Sequence, residues 1–118
     1  MNRNRQLGSR GEALASQYLV ERGFVLLMHN WRCTAGEIDL VATDGNELVF
    51  VEVKTRRTMA FGDPLEAVGN EKLVRLHRLA GEWMREHQVY ALYRIDLLGI
   101  LLSPMDQPQI EHIRGVRL

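Results

Sequence analysis

Two stretches of the chain, Ile38-Asp39-Leu40-Val41-Ala42 and Leu48-Val49-Phe50-Val51-Glu52-Val53, are almost continuously apolar and are broken by single carboxylates. Runs of this kind belong to strands covered on both faces. They predict strands over Glu37 to Thr43 and Leu48 to Thr55, joined at Asp44-Gly45-Asn46, whose Asp-Gly and Gly-Asn pairs are hairpin signals. Upstream, Ala15, Tyr18 and Leu19 recur at helical spacing. They predict a helix from about Ser9 to Arg22, with Ser9 as N-cap, Glu12 as its capping-box partner and Gly23 as the stop. Phe24 to Met28 reads as a short strand, followed by a loop containing Asn30, Trp31 and Arg32. After Arg57 a loop through Phe61-Gly62-Asp63-Pro64 leads into an amphipathic helix. Its Leu73, Leu76, Ala80 and Trp83 face inward, while Lys72, Arg75, Arg78, Glu82 and Arg85 face outward. Tyr90 to Leu102 and Ile110 to Arg114 complete the strands, on either side of a turn region from Ser103 to Pro108. The order α-β-β-β-α-β-β predicts an α/β fold, a mixed sheet flanked by helices, with a βαβ crossover joining the third strand to the fourth.

Composition narrows the class. With 118 residues, 46% of them hydrophobic, the chain suits one domain spanning residues 1–118. No stretch approaches the roughly 20 apolar residues of a membrane span, and Met1 to Arg10 is polar and basic, so no membrane association and a cytoplasmic location are expected. The single cysteine, Cys33, cannot close an internal disulfide, and no cysteine-histidine cluster offers a zinc site. Fifteen basic residues balance fifteen acidic ones, which excludes binding to nucleic acid through bulk charge. Any such contact must be local, and basic residues do cluster at Arg3, Arg5 and Arg10, at Lys54, Arg56 and Arg57, and along Lys72, Arg75 and Arg78.

The two apolar strands also carry the chemistry. Glu52 and Lys54 share one strand face, because side chains alternate. An even-length hairpin loop, either Gly45-Asn46 or Asp44 to Glu47, sets Asp39 opposite Glu52 and Glu37 opposite Lys54. Two carboxylates about 5 Å apart can reach one cation, and Mg²⁺ favours such oxygen ligands together with the Val53 carbonyl, water and substrate phosphates. Lys54 would add positive charge where a transition state becomes more negative. The competing reading is a cross-strand salt-bridge ladder on a solvated face. It is weakened because isolated carboxylates in buried strands are costly without a partner or a metal. Glu12 projects from the inward side of the first helix and is either a capping acid or a third site carboxylate. Arg56 and Arg57 at the strand end, and Trp31 beside Arg32, are candidate nucleic-acid contacts. Trp83 falls on the apolar stripe and reads as core; Arg94 and Asp96 read as a polar strand face bordering the site.

Asp39, twelve intervening residues and Glu52-Val53-Lys54 resemble the D…(D/E)xK signature of the restriction-endonuclease-like superfamily, with Ile38 standing where that signature has proline. The longer strings from Gly36 to Ala42 and from Val49 to Arg56, with Gly11-Glu12 upstream and Tyr93 to Asp96 downstream, resemble the small bacterial YraN family of predicted endonucleases, related to archaeal Holliday junction resolvases. The resemblance implies a restriction-endonuclease-like sheet, Asp39 and Glu52 as ligands of Mg²⁺ or Mn²⁺, Lys54 as catalytic lysine and Glu12 as auxiliary acid. It also implies hydrolysis of DNA phosphodiesters, including branched or recombination intermediates, and a two-fold homodimer by analogy with the resolvases. The alternative is a non-catalytic nucleic-acid-binding or DNA-processing accessory protein that retains the fold.

Overall fold

A computed structural model describes residues 3–60 and 62–117, the side chains of Arg3, Asn4 and Ala67 excepted. Phe61 of the expected loop and the Arg3 side chain of the expected basic cluster lie outside the described residues. The elements are α1 (Arg3–Glu21), β1 (Val25–Cys33), β2 (Gly36–Asp44), β3 (Glu47–Arg56), a one-turn 3-10 helix (Pro64–Ala67), α2 (Asn70–Glu86), β4 (Tyr93–Leu101) and β5 (Gln109–Ile113). The five strands form one sheet in sequence order. Only β3 and β4 run parallel, joined through α2, and the other neighbours are antiparallel. The α/β class and the α-β-β-β-α-β-β order match the expectation, and the arrangement is that of a restriction-endonuclease-like sheet.

Alternation along the central strands gives each face its own core. Val49, Val51, Val53, Leu98 and Ile100 pack with Leu40, Ala42 and Phe24 under Ala15 and Leu19 of α1. Leu48, Phe50, Ile95 and Leu97 pack with Val41 under Leu73, Leu76, Leu79, Ala80 and Trp83 of α2. Burial on both sides explains why β2 and β3 lack a polar stripe. A side chain as enclosed as Phe50 contributes about 1.5–3 kcal/mol to this core.

Two elements depart from the sequence reading. Helix α1 begins at Arg3, so Ser9 lies inside it and is no N-cap, and Glu12 takes no part in a capping box. The added turns hold because Leu7 packs against the same core as Leu19. The helix does end as expected: Gly23, at φ +89°, closes it, with Gly23 N–H donating to the Val20 carbonyl and Phe24 N–H to that of Leu19, each at 3.0 Å. Strand β1 continues to Cys33, so Trp31 and Arg32 are strand residues and not loop residues. Trp31 is buried in the α2-side core and its indole N–H donates to Glu86 Oε2 at 2.8 Å, which leaves no ring face for a nucleic-acid base.

Toward the β2–β3 turn, a polar network ties the sheet to its surroundings. The fully buried Asp96 accepts from Arg94 Nε at 2.9 Å and from the Gly115 amide at 3.0 Å, and it pairs with His112 Nε2 at 2.8 Å. Arg94 continues to Glu47 at 2.8 Å and Asp44 at 2.9 Å, while His112 Nδ1 meets the Tyr18 hydroxyl at 3.2 Å. One carboxylate thus links α1, β4, β5 and the β2–β3 turn. Arg94 and Asp96 do not border Lys54; they sit toward the turn end of the sheet. Burial pushes the Asp96 carboxyl up, but its hydrogen bonds from His112, Arg94 and the Gly115 amide, with the Arg94 charge, outweigh it and hold the group below the ordinary carboxylate range. A carboxyl with a depressed folded pKa stabilises the fold above its unfolded pKa, and that stability is lost as pH falls through the folded value. Asp96→Ala is expected to cost about 3–5 kcal/mol, since it takes the shared acceptor from Arg94 Nε, the Gly115 amide and His112 Nε2 inside the fold, and to flatten the acid limb of stability. Urea unfolding between pH 3 and 7 measures both, and a loss under 1 kcal/mol would overturn the assignment.

Candidate metal centre

The site begins with the hairpin register. Asp44 pairs with Glu47, so the loop is the two-residue Gly45-Asn46, and Gly45 adopts φ +62° as such a turn requires. That register places Asp39 level with Glu52. The ladder nevertheless stops one step short, at Leu40 and Val51. Beyond it the Val53 amide donates to Asp39 Oδ2 at 2.8 Å, so a side-chain carboxylate replaces a strand carbonyl where β2 and β3 part. The Asp39 and Glu52 carboxyls lie near enough to share a proton.

A second irregularity lies on the other side of β2. Met28, Trp31 and Cys33 of β1 all face the α2-side core, as do Ile38 and Val41 of β2, so both strands swap faces between the paired positions His29–Leu40 and Trp31–Ile38. Asn30, at φ +50°, occupies that level in β1; asparagine tolerates this left-handed backbone better than most residues. The swap turns Glu37 toward α1. Ligand atoms of Glu12, Glu37 and Asp39 then lie within 4.8 Å of one another. In the orientation that satisfies its amide, Asn30 donates to Glu12 Oε1 at 2.8 Å and Glu37 Oε1 at 3.0 Å. Glu37 pairs with its cross-strand neighbour Arg32 at 3.3 Å and not with Lys54, contrary to expectation, because the face swap separates them.

Glu12 reaches the cluster because α1 lies close against β3: a Cβ at Gly11 would collide with the Thr55 side chain. Burial, then the charges of Asp39 and Glu37, raise the Glu12 pKa. Glu52 is only 6% exposed. Burial and then the Asp39 charge push it up to about 7, the Asp39 hydrogen bond adds to this, and Lys72 and Lys54 oppose it. Both lysines face the same oxygen, Oε1, Lys72 at 3.6 Å and Lys54 at 4.0 Å.

A cleft of about 730 Å³ opens over these acids. Glu12, Glu37, Asp39 and Glu52 line it, and Arg5, Arg32, Lys54 and Arg56 give its cationic rim. Of the expected site residues, Asp39, Glu52, Lys54, Glu12, Arg32 and Arg56 therefore share one cleft. Arg57, half-buried just past β3, is not among the lining residues. Sequence reasoning missed Asn30 and Lys72 and undervalued Glu37. Asn30 reads as a loop residue between His29 and Trp31, with no signal pointing to the site, and nothing in the helical pattern distinguishes Lys72 from a solvated lysine.

The donor set fits a hard divalent cation, since opposite ligands of an octahedral Mg²⁺ stand about 4.2 Å apart and the three acids already fall near that span. Because the folded Glu52 holds its proton more tightly than the unfolded chain does, its ionisation opposes folding as pH rises from about 4.5 to about 7. Without added metal, Glu52→Gln is therefore expected to gain stability over the wild type as pH rises through that window, by about 1–3 kcal/mol at pH 8. Denaturant melts at pH 5 and pH 8 measure the difference, and an equal effect at both would contradict the assignment.

Residues 11–100 match the family described as "Uncharacterised protein family UPF0102". Among curated relatives, a UPF0102 protein of Arthrobacter sp. (strain FB24) is 51% identical over 111 residues, covering 93% of this chain and 94% of the relative. Those of Beutenbergia cavernae and Rhodococcus opacus (strain B4) are 49% and 47% identical; the latter alignment covers 97% of this chain and 98% of the relative. No helix among the described residues is long and apolar enough to cross a membrane. With residues 11–100 matching the family and relatives about half identical over more than nine-tenths of its length, the chain belongs to the UPF0102 family, the family of YraN.

Proposed function

We propose that this protein is a nuclease dependent on Mg²⁺ or Mn²⁺ that hydrolyses phosphodiester bonds of DNA in the cytoplasm. The observation that carries the reading is the gathering of Glu12, Glu37, Asp39, Glu52 and Lys54 in one cleft that has a cationic rim, with ligand atoms of Glu12, Glu37 and Asp39 within 4.8 Å of one another. Asp39, Glu52 and Glu12 would hold the ion, with Glu37 adjoining them. Once bound, a divalent cation offsets phosphate charge and lowers the pKa of water at the site. Lys54 places its ammonium within the cleft, where it orients the attacking water or balances the charge that develops on the phosphate. Arg5, Arg32 and Arg56 suit the flanking phosphates. In the free site Val53 and Asn30 hold Asp39, Glu12 and Glu37 through hydrogen bonds, so the ligand side chains are ordered before substrate arrives.

The test is cleavage of labelled duplex, single-stranded, flap and four-way-junction DNA, with an RNA control, in Mg²⁺ or Mn²⁺. Asp39→Ala and Lys54→Ala are expected to lower the rate at least 100-fold, and Arg56→Ala to raise KM several-fold with a shallower salt dependence. A wild type that cuts nothing, or variants that cut equally well, would favour a nucleic-acid-binding accessory role.

A further inference from the structure

Two ammonium groups face one oxygen of a buried carboxylate at the centre of the site, and they come from different places. Lys54, on β3 two residues beyond Glu52, lines the cleft. Lys72 lies in the first turn of α2, on the other side of the sheet from α1, and does not line the cleft, yet it is the closer of the two to Glu52 Oε1, at 3.6 Å against 4.0 Å. Its side chain is only 31% exposed, although the helical pattern assigns that position to solvent.

We infer that Lys72 is a positioning residue of the site: by holding Oε1 of Glu52 from behind, it turns the other carboxylate oxygen toward Asp39 and the cleft and leaves Lys54 free for the substrate. A carboxylate this buried keeps a cationic partner. If that partner were Lys54, its ammonium would be committed to Glu52 and withdrawn from the attacked phosphate. Lys72 does not line the cleft, so it can serve Glu52 without taking the place of a phosphate there. Outer partners of this kind orient ligand side chains, and losing one lowers metal affinity or activity about 10- to 100-fold.

The inference rests on the nuclease reading for its kinetic consequence but not for its geometry, so two measurements separate the two ideas. The first is a crystal structure of the metal-free Lys72→Met variant beside the wild type. Glu52 is expected to leave its rotamer and close on Lys54; an unmoved Glu52 would overturn the inference whether or not the protein cuts DNA. The second is cleavage kinetics in Mn²⁺. Lys72→Met is expected to lower kcat about 10- to 100-fold with KM for DNA within twofold, and Lys72→Arg to recover most of the loss. A raised KM at unchanged kcat would make Lys72 a DNA contact, and unchanged kinetics would make it a surface lysine; either result refutes the inference. A wild type without activity sinks the nuclease reading alone, and the Glu52 rotamer then decides Lys72.

Discussion

The site depends on one substitution of partners in the sheet. Past Leu40 and Val51 the β2–β3 ladder ends, and the Val53 amide, which a continuing ladder would give to a carbonyl, takes the Asp39 carboxylate. A buried amide left unpaired would cost about 1–3 kcal/mol, so the strands can part here only because a side chain supplies the acceptor. Their parting is what opens a cleft at the end of an otherwise closed, two-faced sheet. Asparagine would preserve the hydrogen bond but not the charge; leucine would preserve neither and would leave the gap lined by an orphan donor.

Charge then decides what the opening can do. Two carboxylates 4 Å apart repel by about 4 kcal/mol at the effective dielectric of a partly buried site. Glu12, Glu37, Asp39 and Glu52 are nonetheless gathered around one cleft. Local counter-charges reduce the cost without removing it: Arg32 serves Glu37, and Lys72 and Lys54 serve Glu52. Burial first, and then the repulsion that remains, raise the pKa values of Glu12 and Glu52. Such a cluster is held together by the fold against its own repulsion, and a divalent cation is the ligand class that would relieve it most. This local imbalance is compatible with zero net charge because the basic residues sit at the rim and the acids at the floor.

The hairpin, the apolar strands and the D…ExK spacing were legible because they are local: alternation and a two-residue turn fix the register of Asp39 against Glu52 without reference to the rest of the chain. The length of α1 was not legible. Gly8 and Gly11 weaken the helical pattern, and Ser9 offers a plausible cap, yet packing of Leu7 against the α1-side core carries the helix past both. The face swap at Asn30 and Asp39 was equally hidden, since a period-two reading assumes it away, and with it went the placement of Glu37 and the burial of Trp31. Lys72 was invisible for a different reason: its role arises from a contact across twenty residues between a helix and a strand, and its own neighbours in sequence look like any solvated helical face.

Strand β3 therefore connects two electrostatic systems with opposite characters. At its start, Glu47 joins the network in which Asp96, Arg94, His112 and Asp44 are mutually paired, so every buried charge there has a partner and the arrangement is a fastening. At its end, around Glu52 and Lys54, acids outnumber the cations that reach them, so the arrangement is a receptor for further positive charge. A satisfied network gains nothing from an added ligand, whereas a frustrated one does, and real proteins concentrate such frustration at functional sites. The fastening at one end is what lets the strand hold the strained cluster at the other. Because the two share no ion-pair partner, changes in them should add, each drawing on the same folding energy.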